Sequence, residues 1–502
     1  MRRMSSLAIC VCLFVSLSVS PHEPGRAQTP KMTAKLLHTI TESFVYWWSP
    51  DNKTLAVMFR NIALYDVATG KVRAEFKSDG LLSVKLIRFT PDSSALLVHT
   101  DRVRLYSAAD GKLLREFAED TAPINYYEKI YTAQYTTNYN NETGQTESSY
   151  EGPTLDEQLK ELPTRYISDR VISPDSKLLL VRAKESGKAL VYDLTTGELK
   201  FTLDRYVEAG KKKDRVGKTL GEFSPDGRFI VTAPRDRTPR LWNAANGALI
   251  ANLGPQTGSV LGVRFSPDSR FVATSTFDDG IVKIWEAETG KLLHTVGSKK
   301  ETIYFAEWNP TSKSFVTKSS KGEVGLWSAE TGALIARLDQ KAVKEKFDWN
   351  QTFVYSPDGK ILVTQARNAP SVWSLLGGIV KDKRRLIAHL WDAETGALIK
   401  SLRDTKGHDA FDHLFDKFLW SPAGDVLITA GTSVKLWDRR GELLQDIETN
   451  AIVNASLSPN GKFLTFTSDK SLGGSLKDLA KVMVGQVSKI GPFKTFVWQL
   501  EG

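Results

Sequence analysis

The segment GHDAFDH at residues 407–413 contains two histidines and two aspartates, side chains that bind metal ions and transfer protons. If this segment is helical, His408 and Asp412, or Asp409 and His413, lie one turn apart and could approach a metal ion. The sequence contains no HExxH pair, GxSxG elbow, P-loop or CxxC motif, and the other histidines are scattered singly. We therefore predict that the chain is not an enzyme and has no catalytic residue, metal or cofactor.

A second set of residues is suited to binding. Residues 118–165 hold nine acidic side chains, three basic ones and six of the 14 tyrosines. Tyrosine combined with serine, asparagine and glycine is typical of recognition loops, because rigid aromatic contacts are joined to adaptable hydrogen bonds. The candidate partner-binding tyrosines, spaced four residues apart, are Tyr127, Tyr131, Tyr135 and Tyr139. The alternative is a polar flap whose tyrosines cover the rest of the fold.

Basic side chains form separate clusters. The candidate partner-binding residues among them are Lys211, Lys212, Lys213, Arg215, Arg384 and Arg385. The formal net charge of +9 permits an acidic partner. Aromatic residues that could stack on bases are not interleaved with these clusters, which disfavours nucleic acid. We predict a protein partner of unspecified identity, with solvated loop charge as the alternative.

An internal repeat determines the elements that carry these residues. A Ser-Pro-Asp-Gly-like turn occurs nine times, and after each turn come an aliphatic strand and a second strand that ends in an aromatic residue and a polar turn. The prolines of these turns are Pro50, Pro91, Pro174, Pro225, Pro267, Pro310, Pro357, Pro422 and Pro459. The tryptophans that end the second strands are Trp242, Trp285, Trp327, Trp391, Trp437 and Trp498. Because such turns join antiparallel strands, each unit is predicted to be a four-stranded meander.

These units resemble the WD-repeat (WD40-like) β-propeller family, whose blades run about 40–45 residues. The resemblance covers residues 35–502 and implies an all-β fold, a single propeller of four-stranded antiparallel blades. Trp-Asp itself occurs only at residues 391–392 and 437–438, and Gly-His only at 407–408. The resemblance gives His408 a structural role. It also implies that the polar network of the family is mostly absent here, so that the blades rely on apolar packing.

The chain ends predict the number of blades. Residues 35–40, KLLHTI, are similar to the outer strand KLLHTV at 291–296 but precede the first unit, while the last unit ends without an outer strand. Pairing the strand at 35–41 with the last unit would close a ring and remove exposed sheet edges. This gives about nine blades. The alternative is a seven-bladed ring with two units packed beside it.

The long insertions are predicted to share one end of the ring. With strands a to d counted from the centre outwards, the tight turns fall in the a–b and c–d connections. The insertions in the b–c and d–a connections are residues 118–165, 204–218, 366–387, 403–416 and 468–493. Loops held by a rigid scaffold usually carry binding, so this end is the predicted working surface.

Residues 1–27 are predicted to be a secretory signal peptide. Arg2 and Arg3 precede an apolar stretch at residues 7–20, and Gly25 and Ala27 supply small residues before a cleavage site. This stretch is too short to span a bilayer of about 30 Å comfortably, which favours a cleaved signal over an anchor. The propeller at 28–502 would then be cysteine-free, without a transmembrane segment, and periplasmic or secreted.

The function predicted from the sequence is a non-catalytic, exported β-propeller that serves as a protein–protein interaction scaffold through its insertion-bearing rim. One alternative is an exported propeller enzyme, or a small-ligand or metal binder, that uses the central channel. Another is an intracellular, initiation-factor-like binder of ribonucleoprotein. The sequence sets no oligomeric state.

Overall fold

Nine four-stranded antiparallel sheets form a β-propeller in the computed structural model. The prediction of an all-β propeller with nine blades is confirmed, and the seven-bladed alternative is wrong. The structure describes residues 33–41, 45–58, 61–77, 86–100, 102–117, 121–123, 134–140, 145–151, 171–183, 188–203, 220–234, 237–256, 260–276, 281–297, 303–319, 321–343, 352–366, 384–407, 417–431, 433–447, 452–468 and 494–501.

Each sheet is one blade, with its strands in the order a to d from the centre outwards. The first described strand is β1 (Thr33–Thr41). Blade 1 contains β2 (Val45–Trp48), β3 (Thr54–Met58), β4 (Asn61–Asp66) and β5 (Val72–Lys77). Blade 2 contains β6 (Leu86–Phe89), β7 (Ala95–His99), β8 (Val103–Ser107) and β9 (Leu113–Glu116). Blade 3 contains β10 (Thr121–Pro123), β13 (Leu178–Ala183), β14 (Ala189–Asp193) and β15 (Leu199–Thr202), and a separate hairpin is formed by β11 (Gln134–Asn140) and β12 (Gln145–Glu151).

The middle blades follow the same plan. Blade 4 contains β16 (Leu220–Phe223), β17 (Phe229–Ala233), β18 (Arg240–Asn243) and β19 (Leu249–Asn252). Blade 5 contains β20 (Val260–Phe265), β21 (Phe271–Thr276), β22 (Val282–Glu286) and β23 (Leu292–Val296). Blade 6 contains β24 (Ile303–Trp308), β25 (Ser314–Ser319), β26 (Val324–Ser328) and β27 (Leu334–Arg337), and a short helix, α1 (Gln340–Val343), follows it.

The last three blades complete the ring. Blade 7 contains β28 (Phe353–Tyr355), β29 (Ile361–Gln365), β30 (Arg384–Asp392) and β31 (Leu398–Gly407). Blade 8 contains β32 (Lys417–Trp420), β33 (Val426–Ala430), β34 (Val434–Asp438) and β35 (Leu443–Ile447). Blade 9 contains β36 (Ile452–Leu457), β37 (Phe463–Ser468) and β38 (Lys494–Glu501), with β1 as its outermost strand. In the described part of the chain, no helix has the length and apolar character needed to cross a membrane.

The two ends of the chain meet in blade 9. Strand β1 pairs antiparallel with β38 from Thr33 opposite Glu501 to Thr41 opposite Lys494. Next to this sheet, the Tyr46 hydroxyl of blade 1 donates a 2.6 Å hydrogen bond to the Thr465 carbonyl oxygen of blade 9. The ring is therefore closed by pairing between segments more than 400 residues apart, since 419 residues separate Tyr46 from Thr465.

Apolar packing between successive blades forms the core. The b strands β3, β7, β17 and β33 are buried along their whole length, because a neighbouring blade covers each face. One continuous cluster runs through blades 2, 3 and 4 and includes Leu105, Leu180 and Phe223. β-Branched and aliphatic residues favour extended backbone, and tight turns separate successive runs of them. These runs therefore form strands.

Hydrogen bonds to the repeat tryptophans add to this packing. In five blades the indole Nε1 donates to a threonine hydroxyl of the neighbouring b strand at 2.7–3.0 Å. The pairs are Trp242–Thr232, Trp285–Thr274, Trp327–Thr317, Trp391–Thr364 and Trp437–Thr429. The buried Nε1 of Trp498 has no hydrogen-bond partner in the described part of the chain. The polar network of the family was expected to be mostly absent. Its tryptophan–threonine hydrogen bond is nevertheless present in these five blades.

Candidate interaction site

The connections at one end of the ring are uniformly short. Every a–b connection has five residues, as at 49–53, and every covalent c–d connection has four or five, as at 67–71. We call this end, formed by the a–b and c–d connections, the turn rim. The nine repeat prolines all lie here, each as the second residue of an a–b turn.

In eight of the nine a–b turns the first and third side chains are hydrogen-bonded to each other; in blade 8 the Ser421 hydroxyl donates instead to Asp425, the fifth residue. In the turn of blade 4, Ser224 Oγ donates to Asp226 Oδ1 at 2.6 Å and accepts from the Phe229 N–H at 2.9 Å. The fourth residue, Gly227, has a φ of 75°, in the left-handed region that glycine adopts without strain. The sequence Ser-Pro-Asp-Gly thus satisfies both the polar groups and the backbone geometry of a tight turn.

Neighbouring a–b turns contact one another around the whole ring. The Asp226 N–H donates to Ser269 Oγ of the next blade at 3.0 Å, and the Asn460 N–H of blade 9 donates to Asn52 Oδ1 of blade 1 at 2.9 Å. Where the fourth residue is glycine, the preceding turn packs closely against it, and a Cβ at Gly461 would lie 2.2 Å from Pro422 Cδ. Contacts of these two kinds join all nine pairs of adjacent blades.

The aspartate carboxylates of the a–b turns accept hydrogen bonds within those turns. Partial burial opposes the ionisation of Asp358, but hydrogen bonds from Ser356, the Lys360 N–H and Arg439 outweigh it and lower the pKa to about 2. At the equivalent positions the same balance lowers the pKa values of Asp92, Asp175 and Asp226. Such strongly acidic groups are unsuited to general acid–base catalysis near neutral pH.

The opposite end of the ring has connections of very different length. We call this end, formed by the b–c and d–a connections, the insertion rim. Its connections range from two residues, 59–60, to 25 residues, 469–493. Besides the predicted insertions it carries residues 338–352, between β27 and β28, which include α1 and were missed from the sequence because their composition is unremarkable.

The tyrosine-rich insertion leaves the propeller from an unexpected place. Strand β10 pairs with β13, with Pro123 opposite Val181, and Ile172 bridges Leu179. The Val171 carbonyl oxygen accepts a hydrogen bond from the Leu180 N–H, so Val171 takes the position directly after Pro123. The insertion therefore begins after Pro123 and interrupts the innermost strand of blade 3, whereas the sequence analysis placed it at 118–165 in a d–a connection. Apolar alternation is too weak in Thr121–Pro123 to reveal a strand.

Two of the four candidate tyrosines lie in described strands. Tyr135 and Tyr139 belong to β11, and Tyr135 is the register partner of Tyr150 in β12. Tyr139 lies four residues after Tyr135 in the same strand, opposite Thr146. Tyr127 and Tyr131 lie outside the described residues.

The basic candidates are divided between two places. Lys211, Lys212, Lys213 and Arg215 lie in the connection 203–219, outside the described residues. Arg384 and Arg385 begin strand β30, with Arg384 opposite Gly407 of β31. Residues 384–387 and 403–407 were predicted to be insertions. They are instead strand, because the c–d hairpin of blade 7 continues past the end of β29, where Gln365 pairs with Ala388.

The innermost strands line the central channel and carry charged residues in blades 4, 5 and 6. Glu222 is fully buried and accepts hydrogen bonds from the Phe265 N–H at 2.6 Å and from Arg264 Nη1 at 3.1 Å. Glu307 occupies the corresponding position in blade 6. Among the described residues, no group of three or more histidine, cysteine, aspartate or glutamate side chains could hold a metal ion. Residues 408–413 lie outside the described part of the chain.

A cavity of about 350 Å³ lies between blades 5 and 6 near the insertion rim. Its lining includes Gly297 at the end of β23 and Glu323, Gly325 and Trp327 of blade 6, with Arg337 from β27. The Arg337 guanidinium and the Glu323 carboxylate form a 3.0 Å ion pair. Sequence reasoning missed this site, although aligning the nine c strands would have shown glycine at position 325, where five other blades have a basic side chain.

Comparison with known protein families identifies one repeat directly. The model of "WD domain, G-beta repeat" matches residues 247–286. This segment runs from the outermost strand of blade 4 to β22 of blade 5. One segment of the nine-bladed propeller is thus similar to this repeat.

Several known proteins are similar to parts of the chain. COMPASS component SWD3 of Saccharomyces cerevisiae is 24% identical over 235 residues, 46% of this chain and 66% of that protein. Autophagy-related protein 16 of Arabidopsis thaliana is 23% identical over 212 residues, 42% of this chain and 40% of that protein. The chain thus spans less than two thirds of the length of these relatives. Among solved structures, the C-terminal WD40 domain of Sif2 is 15% identical, covers 80% of this chain and 95% of its own, and has a TM-score of 0.47.

Proposed function

We propose that the protein is a non-catalytic interaction scaffold that binds protein partners on its insertion rim and at the tyrosine-rich insertion. The observation that carries this proposal is the contrast between the two ends of the ring. At the turn rim every connection is short, and the a–b turns contact each other. The long b–c and d–a connections lie at the insertion rim, and the longest insertion, residues 124–170, leaves from the innermost strand of blade 3. Loops on a rigid scaffold are common carriers of binding.

Relatives support the class of function. SWD3 is named as a component of the COMPASS assembly, and a protein of Danio rerio named apoptotic protease-activating factor 1 is 24% identical over 352 residues. That match covers 63% of this chain and 25% of the relative. A propeller that presents several loops at one end offers a broad surface, which suits a protein partner better than a small substrate.

Deletion of residues 124–170 tests the role of the insertion. The deletion joins Pro123 to Val171, which already occupy successive positions opposite Val181 and Leu180, so the innermost strand becomes continuous. We expect a discrete partner that co-purifies with the intact chain to be lost, with a melting temperature within a few degrees of the intact protein. Replacing Lys211, Lys212, Lys213 and Arg215 by glutamate in the intact chain tests the neighbouring connection. Retention of the same partner by both variants would refute the proposal.

We further propose that the protein acts after export, with residues 1–27 removed as a signal peptide. The mature protein would start at Gln28, contain no cysteine and draw its stability from the blade core alone. Mass spectrometry of the protein from its native cell measures the N-terminus. A chain that retains residues 1–27 would refute this part without affecting the scaffold proposal.

The central channel carries a second candidate function, the binding of a small polar ligand or metal. The row Glu222, Arg264 and Glu307 favours it, and Lys417 on the innermost strand of blade 8 has its pKa lowered by desolvation. Metal analysis after dialysis against a chelator separates the two functions. A stoichiometric metal that survives dialysis would favour the channel.

A further inference from the structure

Gly325 and Trp327 line the cavity between blades 5 and 6. Gly325 lies two residues before Trp327 on β26, and a Cβ at this position would come within 2.8 Å of Trp327 Nε1. Trp327 is only half-buried, whereas the equivalent residues Trp242, Trp285, Trp391 and Trp437 are buried. The glycine therefore lets the indole pack against the strand backbone where a Cβ would stand, and the cavity lies beside this half-buried ring.

Five other blades show what normally occupies this place. The residues two positions before the aromatic end of the c strand are Arg104, Arg240, Lys283, His389 and Lys435. Lys283 Nζ lies 5.8 Å from the centre of the Trp285 ring. Lys435 is buried, and its ammonium donates to Ser433 Oγ at 2.5 Å and to Asp446 Oδ2 at 2.7 Å. This strand position therefore takes a lysine in two blades, and in blade 5 its ammonium group lies near the indole.

Blade 6 has a carboxylate, that of Glu323, that can pair with a cation. Glu323 lies four residues before Trp327. The equivalent residue of blade 8, Ser433, accepts a hydrogen bond from Lys435. In blade 2 one carboxylate, that of Glu116, accepts from two cations, Arg102 at 2.6 Å and Arg104 at 2.7 Å.

The Glu323 carboxylate of blade 6 pairs with Arg337, and Gly325 occupies the position that supplies the second cation in blade 2. Glu323 and Arg337 are both about half-exposed, at 47% and 46% of their side chains, so a further cation can reach the carboxylate.

We propose that this cavity binds a lysine or arginine side chain of a protein partner. The methylene stem lies in the cavity against Trp327, and the nitrogen head donates to Glu323. This inference rests on the proposed scaffold function and names the chemistry of one contact on the partner. The cavity is built from β23, β25, β26 and β27 and includes no residue of the tyrosine-rich insertion.

Binding of blocked amino acids to the full chain tests the proposal. The probes are the Nα-acetyl N-methylamides of lysine, arginine, norleucine and glutamate, with dissociation constants from saturation-transfer NMR. We expect the lysine and arginine probes to bind at least about tenfold more tightly than norleucine, and Glu323→Gln to remove this preference, because a hydrogen bond to a charged group is lost. Equal binding of norleucine, unchanged binding to Glu323→Gln, or no binding of the basic probes would overturn the proposal.

Two glycine–lysine exchanges provide matched controls. Gly325→Lys introduces the residue of blade 5 into the cavity and should abolish probe binding, whereas Lys283→Gly should create no site, because Ile281 stands where blade 6 has Glu323. Because a Cβ at 325 is close to the indole, Gly325→Lys is first checked by its melting curve. If it does not fold, Glu323→Gln decides the question. The basic probes should still bind after deletion of residues 124–170, because the cavity contains none of these residues. The test of the cavity is therefore independent of the test of the insertion as a partner site.

Discussion

The turn rim and the insertion rim are made by the same nine repeats, yet they tolerate change very differently. In the turn rim the fourth residue of each a–b turn has a left-handed backbone conformation and touches the neighbouring turn. At the insertion rim, residues 366–383 separate β29 from β30, and the pairing still starts in register at Gln365 opposite Ala388. The a–b turns, which contact the turns of the neighbouring blades, are thus fixed in length. The b–c and d–a connections vary in length without changing the strand register.

The largest predicted effect tests this constraint at Gly461. Replacing Gly461 by alanine puts a Cβ on a residue with a φ of 72° and within 2.2 Å of Pro422 Cδ. Left-handed strain and overpacking together should reduce the free energy of unfolding by about 2–4 kcal/mol. Urea unfolding followed by tryptophan fluorescence measures the loss.

The control for this variant is Gly431→Ala on the insertion rim. Gly431 follows β33 and is not among the described glycines with a positive φ. Its replacement should change the free energy of unfolding by less than about 1 kcal/mol. If the two alanine variants were equally stable, the two rims would not differ in the way described.

An intermediate effect is expected where blade 9 meets blade 1. Asn52 has a φ of 64°, and its Oδ1 accepts from the Asn460 N–H. Asn52→Ala removes this hydrogen bond and places alanine in the left-handed region, so it should cost about 1–2 kcal/mol of unfolding free energy. Thermal unfolding measures this cost. Ser93→Ala, which removes the matching bond to the Asp51 N–H, should give the same loss, and a clear difference would set this closing contact apart from the rest.

The smallest effect is a pH dependence of the turn rim. Asp358 has a pKa of about 2 in the folded protein, below the ordinary value of 3.8, so its charged form stabilises the fold above pH 4. This contribution, about 1 kcal/mol after screening of a carboxylate that is one-third exposed, is lost as the pH falls from 4 towards 2. Asp358→Asn should therefore be less stable at pH 6 and approach the intact protein near pH 2. Parallel stability curves for the two proteins would contradict this.

Most of the fold could be predicted from short-range signals. The Ser-Pro-Asp-Gly turns and the aromatic ends of the c strands mark nine units, because turn chemistry is encoded in consecutive residues. The split strand of blade 3 could not be found in this way. Residues 121–123 become a strand only through pairing with β13, a contact that local alternation does not signal. The same reason explains Arg384 and Arg385, whose strand conformation depends on the distant β31.

The candidate site was predicted less well. Composition led to the tyrosine-rich insertion and to the basic clusters, and these residues stay predictions. The cavity beside Trp327 is marked in the sequence by Gly325, which stands out only when the blades are aligned with one another. Gly325 is ordinary in isolation and becomes informative when set beside Lys283 and Lys435 at the same strand position. Alignment of the repeats with one another is therefore a source of site information in a single sequence.

The pairing of β1 with β38 also dictates the order of events during folding. Blade 9 needs Thr33–Thr41 and Lys494–Glu501 together, so its sheet cannot be completed until nearly the whole chain has been synthesised. Contacts of such high sequence separation form late and slowly, while single blades with local hairpins form early. Until then blades 1 and 8 each present an uncovered apolar face. We therefore expect the open chain to aggregate more readily than the closed ring.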